Sequence, residues 1–215
     1  MKLYSDDQSP YCAPVRAAIY AKRLPIAIEP PPGGLQSEAY RAASLTGTIP
    51  CLVLDDGTPL PESAVILDYL EDRFPDPPLQ PAEPDARARV RLIRAVAQAN
   101  LTDAMTELFH DLAHGAGEAA RPRVLAKFER GLGLLERLLP DDAFAAGESF
   151  STADCVLGPA LMGVGAVSGM AGKPGLLAAY PRTAAYAGRV AAHPVMSKVL
   201  GEIQAALAKS GFKLG

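Results

Sequence analysis

The chain has 215 residues, 49% hydrophobic and 21% charged, enough apolar material for one large domain or two small ones. Its 21 basic and 24 acidic side chains give a formal charge of -3, without the basic excess expected of a nucleic-acid binder. Three cysteines, an odd number, exclude a fully paired disulfide framework, and no long apolar secretory stretch follows Met1, so a cytoplasmic location is expected.

In chain order, Leu3-Tyr4 opens a predicted strand, and Val15 to Lys22 reads as a helix beginning near Pro10 or Tyr11. Ile26-Ala27-Ile28 is a second strand, and Glu38 to Ala43 a short helix. Cys51 to Leu54 and Thr58 to Leu60 flank Asp56-Gly57, a strong hairpin signal. Ser63 is a suitable N-cap for a helix over Ala64 to Arg73, with Val65, Ile66, Tyr69 and Leu70 on one face. This order of strands and helices predicts a small α/β domain.

Five prolines fall within Pro75 to Pro84, a stretch that reads as a stiff linker. The predicted organisation is therefore residues 1–75, a linker over 76–84, and residues 85–215. Beyond the linker no strand is predicted. One long helix starts at Pro84-Asp85 and runs towards His114, and another covers Arg123 to Leu139. Later helices begin near Ser151, Pro181 and Pro194, so the fold class is α/β followed by an all-helical domain.

Eighteen consecutive uncharged residues, Cys155 to Gly172, approach the length of a membrane span. Five glycines and Pro159 dilute their hydrophobicity, so the run is expected to be a buried core helix, with no membrane partner. Ser151 and Asp154 are spaced to cap it reciprocally, and Phe150 is placed to staple onto Cys155.

Ser9-Pro10-Tyr11-Cys12 lies where the first strand turns into the first helix. A helix N-terminus offers unpaired N–H groups and partial positive charge, which stabilise a thiolate. Ser9 stands at its exposed end as a hydroxyl donor or a cap. Cys12, one turn in, is either a reactive thiol or a packed side chain. Gly47-Thr48-Ile49-Pro50-Cys51 enters a strand, and Glu62-Ser63 opens a helix as a capping pair or as a recognition pair for a charged ligand. His110 and His114, with Asp103 and Glu107, share one helix face. No metal site is expected there, because Asp111 follows His110 where a metalloprotease motif needs glutamate. A polar face or a pocket wall is expected instead. Arg87, Arg89, Arg91 and Arg94 are expected on an exposed face or a subunit interface.

Taken together, Ser9-Pro10-Tyr11 with Val15-Arg16, Ile49-Pro50, Glu62-Ser63 and Phe150 to Asp154 resemble the soluble glutathione transferase superfamily. The first segment resembles the serine-type site of its tau-like and bacterial members. The resemblance covers almost the whole chain. It implies an N-terminal thioredoxin-like domain binding glutathione and a C-terminal helical-bundle domain supplying most of the second-substrate pocket. It implies that Ser9 is the catalytic donor to the glutathione sulfur, and that Tyr11, Gln36, Thr48, Ile49, Pro50, Glu62 and Ser63 bind glutathione. Ile49-Pro50 would be the cis-proline site, pairing backbone with the cysteinyl part of glutathione. Glu62-Ser63 would hold the γ-glutamyl end. Thr48 stands where a lysine is frequent, and Gln36 would replace a cation at the glycine carboxylate.

Glutathione is implied as co-substrate, with no tightly bound cofactor, a small hydrophobic electrophile as second substrate, and a homodimer. The chain lacks tryptophan, so Tyr, Phe, Leu and Met must build the pocket wall. Two other readings stay open: a transferase-like binding or scaffold protein, and a glutathione-dependent reductase or lyase using Cys12 or glutathione. The segment also resembles the glutaredoxin Cys-Pro-Tyr-Cys with serine at the first cysteine, which disfavours dithiol exchange.

Overall fold

The computed structural model describes residues 1–210. Strand β1 (Lys2–Tyr4) runs parallel to β2 (Ala27–Glu29), a pairing that needs the crossover helix α1 (Cys12–Ala21). Pro14 falls in the first turn of α1, where a missing N–H costs nothing. Strand β3 (Cys51–Val53) lies antiparallel to β1, and β4 (Pro59–Pro61) antiparallel to β3, giving the order β2-β1-β3-β4. Both prolines of β4 are tolerated because β4 is an edge. The turn between β3 and β4 has Gly57 at φ +89°, and Asp56 accepts the Thr58 N–H at 2.9 Å. Helix α2 (Glu38–Ala43) is capped by the Ser37 hydroxyl, which accepts from the Tyr40 N–H. Helix α3 (Ser63–Arg73) completes the unit, and Leu3, Val15, Leu52, Ile66 and Leu70 are buried between the sheet and helices.

Side chains rather than proline alone fix the linker. Glu71 accepts from the Leu79 and Gln80 N–H groups. Lys22 donates to the Phe74 and Pro77 carbonyls and pairs with Glu71 at 2.7 Å. Leu79 then accepts from the Thr152 N–H, tying the linker to the helical half.

That half contains α4 (Pro84–Ala97), α5 (Asp103–Ala113), α6 (Gly117–Leu138), α7 (Thr152–Val167), α8 (Pro181–Ala191) and α9 (Pro194–Lys209). The single helix expected from Pro84 to His114 is interrupted by a π turn over Gln98–Thr102. Helix α6 starts six residues before the expected Arg123. Pro122 is accommodated in its second turn. Arg94 is buried rather than surface-lying: it donates to Asp68 at 2.6 Å and to the Ala64 carbonyl, joining α4 to α3. The His110 and His114 rings stack at 4.3 Å on an exposed face, and Glu107 is paired with Arg123 and Lys127. Among the described residues no group of three His, Cys, Asp or Glu is placed to hold a metal.

The uncharged run forms most of α7, which is central and buried, and no helix among the described residues is long and apolar enough to cross a membrane. Ser151 caps α7, and Asp154 accepts back from the Ser151 N–H at 2.8 Å. Phe150 stacks on the His193 ring at 4.3 Å. Two glycines of the run admit close neighbours. A Cβ on Gly158 would sit 2.8 Å from Met196 Sδ, and one on Gly163 would sit 2.6 Å from Met105 Sδ.

Candidate functional site

The loop between β1 and α1 is set by Arg16, whose guanidinium is fully buried. It donates to the Asp6 carbonyl at 2.9 Å, the Asp7 carbonyl at 3.3 Å and the Glu202 carboxylate of α9 at 3.1 Å. Gln8 reaches the same helix through the Ala206 carbonyl. The loop that carries Ser9 is thus held between its own helix and α9.

Ser9 is half-buried, and both its hydroxyl and its carbonyl accept from the Cys12 N–H. A hydroxyl that accepts this bond still has its own proton to donate. Cys12 is fully buried, and burial pushes its thiol up, against hydrogen bonds from Ser9, Asp6 and Ser5. Such a thiol is a poor attacking group.

Across the sheet, the Ile49–Pro50 bond is cis, and the Thr48 carbonyl accepts from the buried Tyr40 hydroxyl at 2.6 Å. Ser63 does not cap α3 as expected; it is the first residue of the helix. The capping position belongs to Glu62, held at φ +71°, where a non-glycine residue is strained. That conformation turns the chain sharply from β4 into α3 and brings Glu62 and Ser63 to one cavity.

This cavity, of about 410 Å³, is lined by Tyr11, by Thr48, Ile49 and Pro50, and by Glu62, Ser63 and Ala64. Gln98 and Asp103 from the helical half close it. Six of the residues that the resemblance assigns to glutathione therefore meet in one place. Gln36 does not: it is exposed and accepts from Arg41 at 3.2 Å, outside this lining. From the sequence Asp103 is expected only on a polar face or pocket wall with His110 and His114, and Gln98 is not singled out, because the π turn that brings the two together leaves the apolar spacing unchanged.

A second cavity, of about 560 Å³, lies on the other side of the same loop. Gln8 and Pro10 form its near wall. Met105, Thr106 and Phe109 of α5 form another, and α7 contributes Pro159, Met162, Gly163, Ala166 and Val167. Ile203 and Leu207 of α9, with Ser210, complete it. The wall is mostly apolar, with Met105, Met162 and Phe109 in it, and no described lining residue is a cation. Ser9 itself lines neither cavity; its neighbours Gln8 and Pro10 line the apolar one, and Tyr11 lines the polar one. Tyr11 donates to Asp103 at 2.9 Å, and its hydroxyl is pushed up to about 12, mainly by burial.

The pattern of the glutathione S-transferase N-terminal domain matches residues 3–78, and that of the C-terminal domain matches residues 118–189. A maleylacetoacetate isomerase of Pseudomonas aeruginosa is 30% identical over 203 residues, covering 90% of this chain and 92% of the isomerase. A stringent starvation protein A homolog of Pasteurella multocida is 29% identical, covering 75% of this chain and 73% of the homolog. A glutathione S-transferase of Methylobacterium radiotolerans, solved in complex with glutathione sulfonate, superposes with a TM-score of 0.80 at 26% identity. The match covers 92% of this chain and 93% of that one. With both domain patterns in order over most of its length, the chain belongs to the glutathione S-transferase family.

Proposed function

We propose that this protein is a glutathione transferase in which Ser9 activates the glutathione thiol for attack on a small, uncharged hydrophobic electrophile. The observation that carries the reading is the pair of cavities lined by the neighbours of Ser9, Gln8 and Pro10 in one and Tyr11 in the other. The polar one offers an acidic side chain, a helix N-terminus and a hydroxyl at Glu62-Ser63, suited to the charged γ-glutamyl end. The apolar one suits a hydrophobic partner of the size of a small aromatic ring. Ser9 would donate to the sulfur, with the N-terminus of α1 adding its field. The sulfur then forms a bond to the electrophilic carbon, the leaving group departs with the bonding electrons, and the thiol proton passes to solvent.

Calorimetry is the direct test. Glutathione is expected to bind submillimolar, at about -4 kcal/mol or tighter. Glu62→Gln is expected to weaken that binding about tenfold, the worth of one charge-assisted hydrogen bond. Absence of heat at millimolar glutathione would overturn the reading in favour of a scaffold.

The 30% identical isomerase supports a second reading, glutathione-dependent cis–trans isomerisation of a maleyl acid. A substrate bearing two carboxylates needs cationic partners, and the described apolar wall supplies none; Arg16 is buried and paired with Asp7 and Glu202. Turnover of a haloaromatic with no turnover of a maleyl acid supports the first reading, and the reverse supports the second.

The reading includes a homodimer through α3 and α4, where Val65 and Leu92 are 48% and 49% exposed. Light scattering at micromolar concentration is expected to give twice the chain mass. Val65→Glu combined with Leu92→Glu is expected to halve it. A monomer mass for the wild type would refute the dimer.

A further inference from the structure

The two cavities share no lining residue, so whatever separates them governs how a sulfur in one meets a carbon in the other. On the polar side the Tyr11 hydroxyl donates to Asp103 Oδ1 at 2.9 Å, reaching from the loop before α1 to the first turn of α5. Thr106, one turn further along α5, lines the apolar cavity and lies close to the same hydroxyl. Tyr11 and Asp103 thus form the polar side of a partition whose apolar side is Pro10 and Thr106.

The π turn makes the bridge possible. In a regular α-helix, residues i and i+5 lie about 140° apart around the axis and face different ways. Here the Asp103 N–H returns to the Gln98 carbonyl, so the two residues stack on one side. Gln98 Nε2 donates to Asp103 Oδ1 at 2.9 Å, the same oxygen that receives Tyr11. The carboxylate is therefore aimed before any ligand arrives.

We propose that Tyr11, latched by Asp103, is a gate between the two cavities and limits which electrophiles reach the sulfur, an inference that rests on the glutathione reading above. The latch is a solvent-exposed hydrogen bond, so it opens at small cost, whereas the Arg16 contacts that hold the loop are largely buried. The Tyr11 hydroxyl is protonated through the neutral range, as a phenol ordinarily is, and partial burial pushes it up further, so it remains a donor to Asp103 rather than an ionised activator of the thiol. A short sulfur substituent fits the polar cavity with the gate shut. A long one must cross the partition and displace Tyr11.

The test compares the affinities of S-methylglutathione and S-hexylglutathione by calorimetry. Tyr11→Phe and Asp103→Ala are each expected to raise the hexyl-to-methyl affinity ratio about three- to tenfold, the net worth of one hydrogen bond. Asp103→Asn keeps an acceptor for Tyr11 and is expected to stay within about twofold of the wild-type ratio. An unmoved ratio in both Tyr11→Phe and Asp103→Ala overturns the gate. So does a ratio that rises only in Tyr11→Ala, which would make the ring a passive wall. If neither ligand binds the wild-type chain, the glutathione reading itself fails and takes the gate with it.

Discussion

Ser9→Ala is expected to slow glutathione conjugation about ten- to a hundredfold while leaving the chain folded. Lowering a thiol pKa by about two units needs roughly 2.7 kcal/mol of preference for the thiolate. A hydrogen bond to a charged group supplies about 1.5–3 kcal/mol, and the α1 terminus adds a smaller share. Removing the hydroxyl therefore forfeits most of the activation, and each 1.36 kcal/mol is a factor of ten in rate. Bound glutathione should then show its thiolate absorbance only at a pH about one to two units higher. The loss should fall on kcat more than on KM, because the hydrogen bond strengthens as charge gathers on sulfur. The fold should lose little. Ser9 also accepts from the Cys12 N–H at 3.3 Å, a cap worth about 1 kcal/mol, or about 2–4 °C in Tm for a chain of this size. Unchanged turnover and an unchanged thiolate titration in Ser9→Ala would remove the assignment.

Asp154→Ala is expected to be the most damaging single change to stability. Its buried carboxylate accepts from the Ala145 N–H, the Ser151 N–H, the Ser151 hydroxyl and the Tyr186 hydroxyl, all between 2.8 and 2.9 Å. Burial pushes the Asp154 carboxyl up, while the four donated bonds hold it in place. Truncation strands these donors in the interior and removes half of the α7 capping box, at a cost of about 3–5 kcal/mol. For a chain of this length that corresponds to about 6–20 °C in Tm, read by circular dichroism. Asp154→Asn should rescue little, because its amide nitrogen would face donors. Tyr186→Phe should cost only about 1 kcal/mol, since it removes one bond and strands no further donor. A shift under about 3 °C in Asp154→Ala would show that the network contributes little. The effect reaches the site because α7 forms one wall of the apolar cavity.

Local chemistry made much of this legible in the chain. Ser151 acts as a cap where the sequence offers a hydroxyl before a helix, and Asp56-Gly57 turns β3 into β4. The uncharged run resolved into a buried helix as far as Val167, where Gly158 and Gly163 leave room for Met196 and Met105, and its last five residues turn out of the helix. Ser63 misled because a hydroxyl before an apolar run looks like a cap. What overrides it is Glu62 at φ +71°, a conformation that side-chain type does not signal. Arg94 looked like its exposed neighbours Arg89 and Arg91, and only the nearness of Asp68 and the Ala64 carbonyl makes it a buried tie.

The sequence by itself determined most of the elements and the change from α/β to all-helical, which follow from signals within a few residues of each other: caps, turns and apolar period. The residues Tyr11, Thr48, Ile49, Pro50, Glu62 and Ser63 that meet in the polar cavity are named by the resemblance of short motifs to the family. Only the tertiary structure decided that Gln98 and Asp103 join them and that Gln36 stays out. Val90, Ile93, Ala97, Leu101, Ala104 and Leu108 keep spacings of three and four through the π turn, so the inserted residue leaves no mark on the pattern. The partner that gives the turn its purpose, Tyr11, lies 92 positions away. Contacts at that separation arise from how two domains pack, which no local periodicity records.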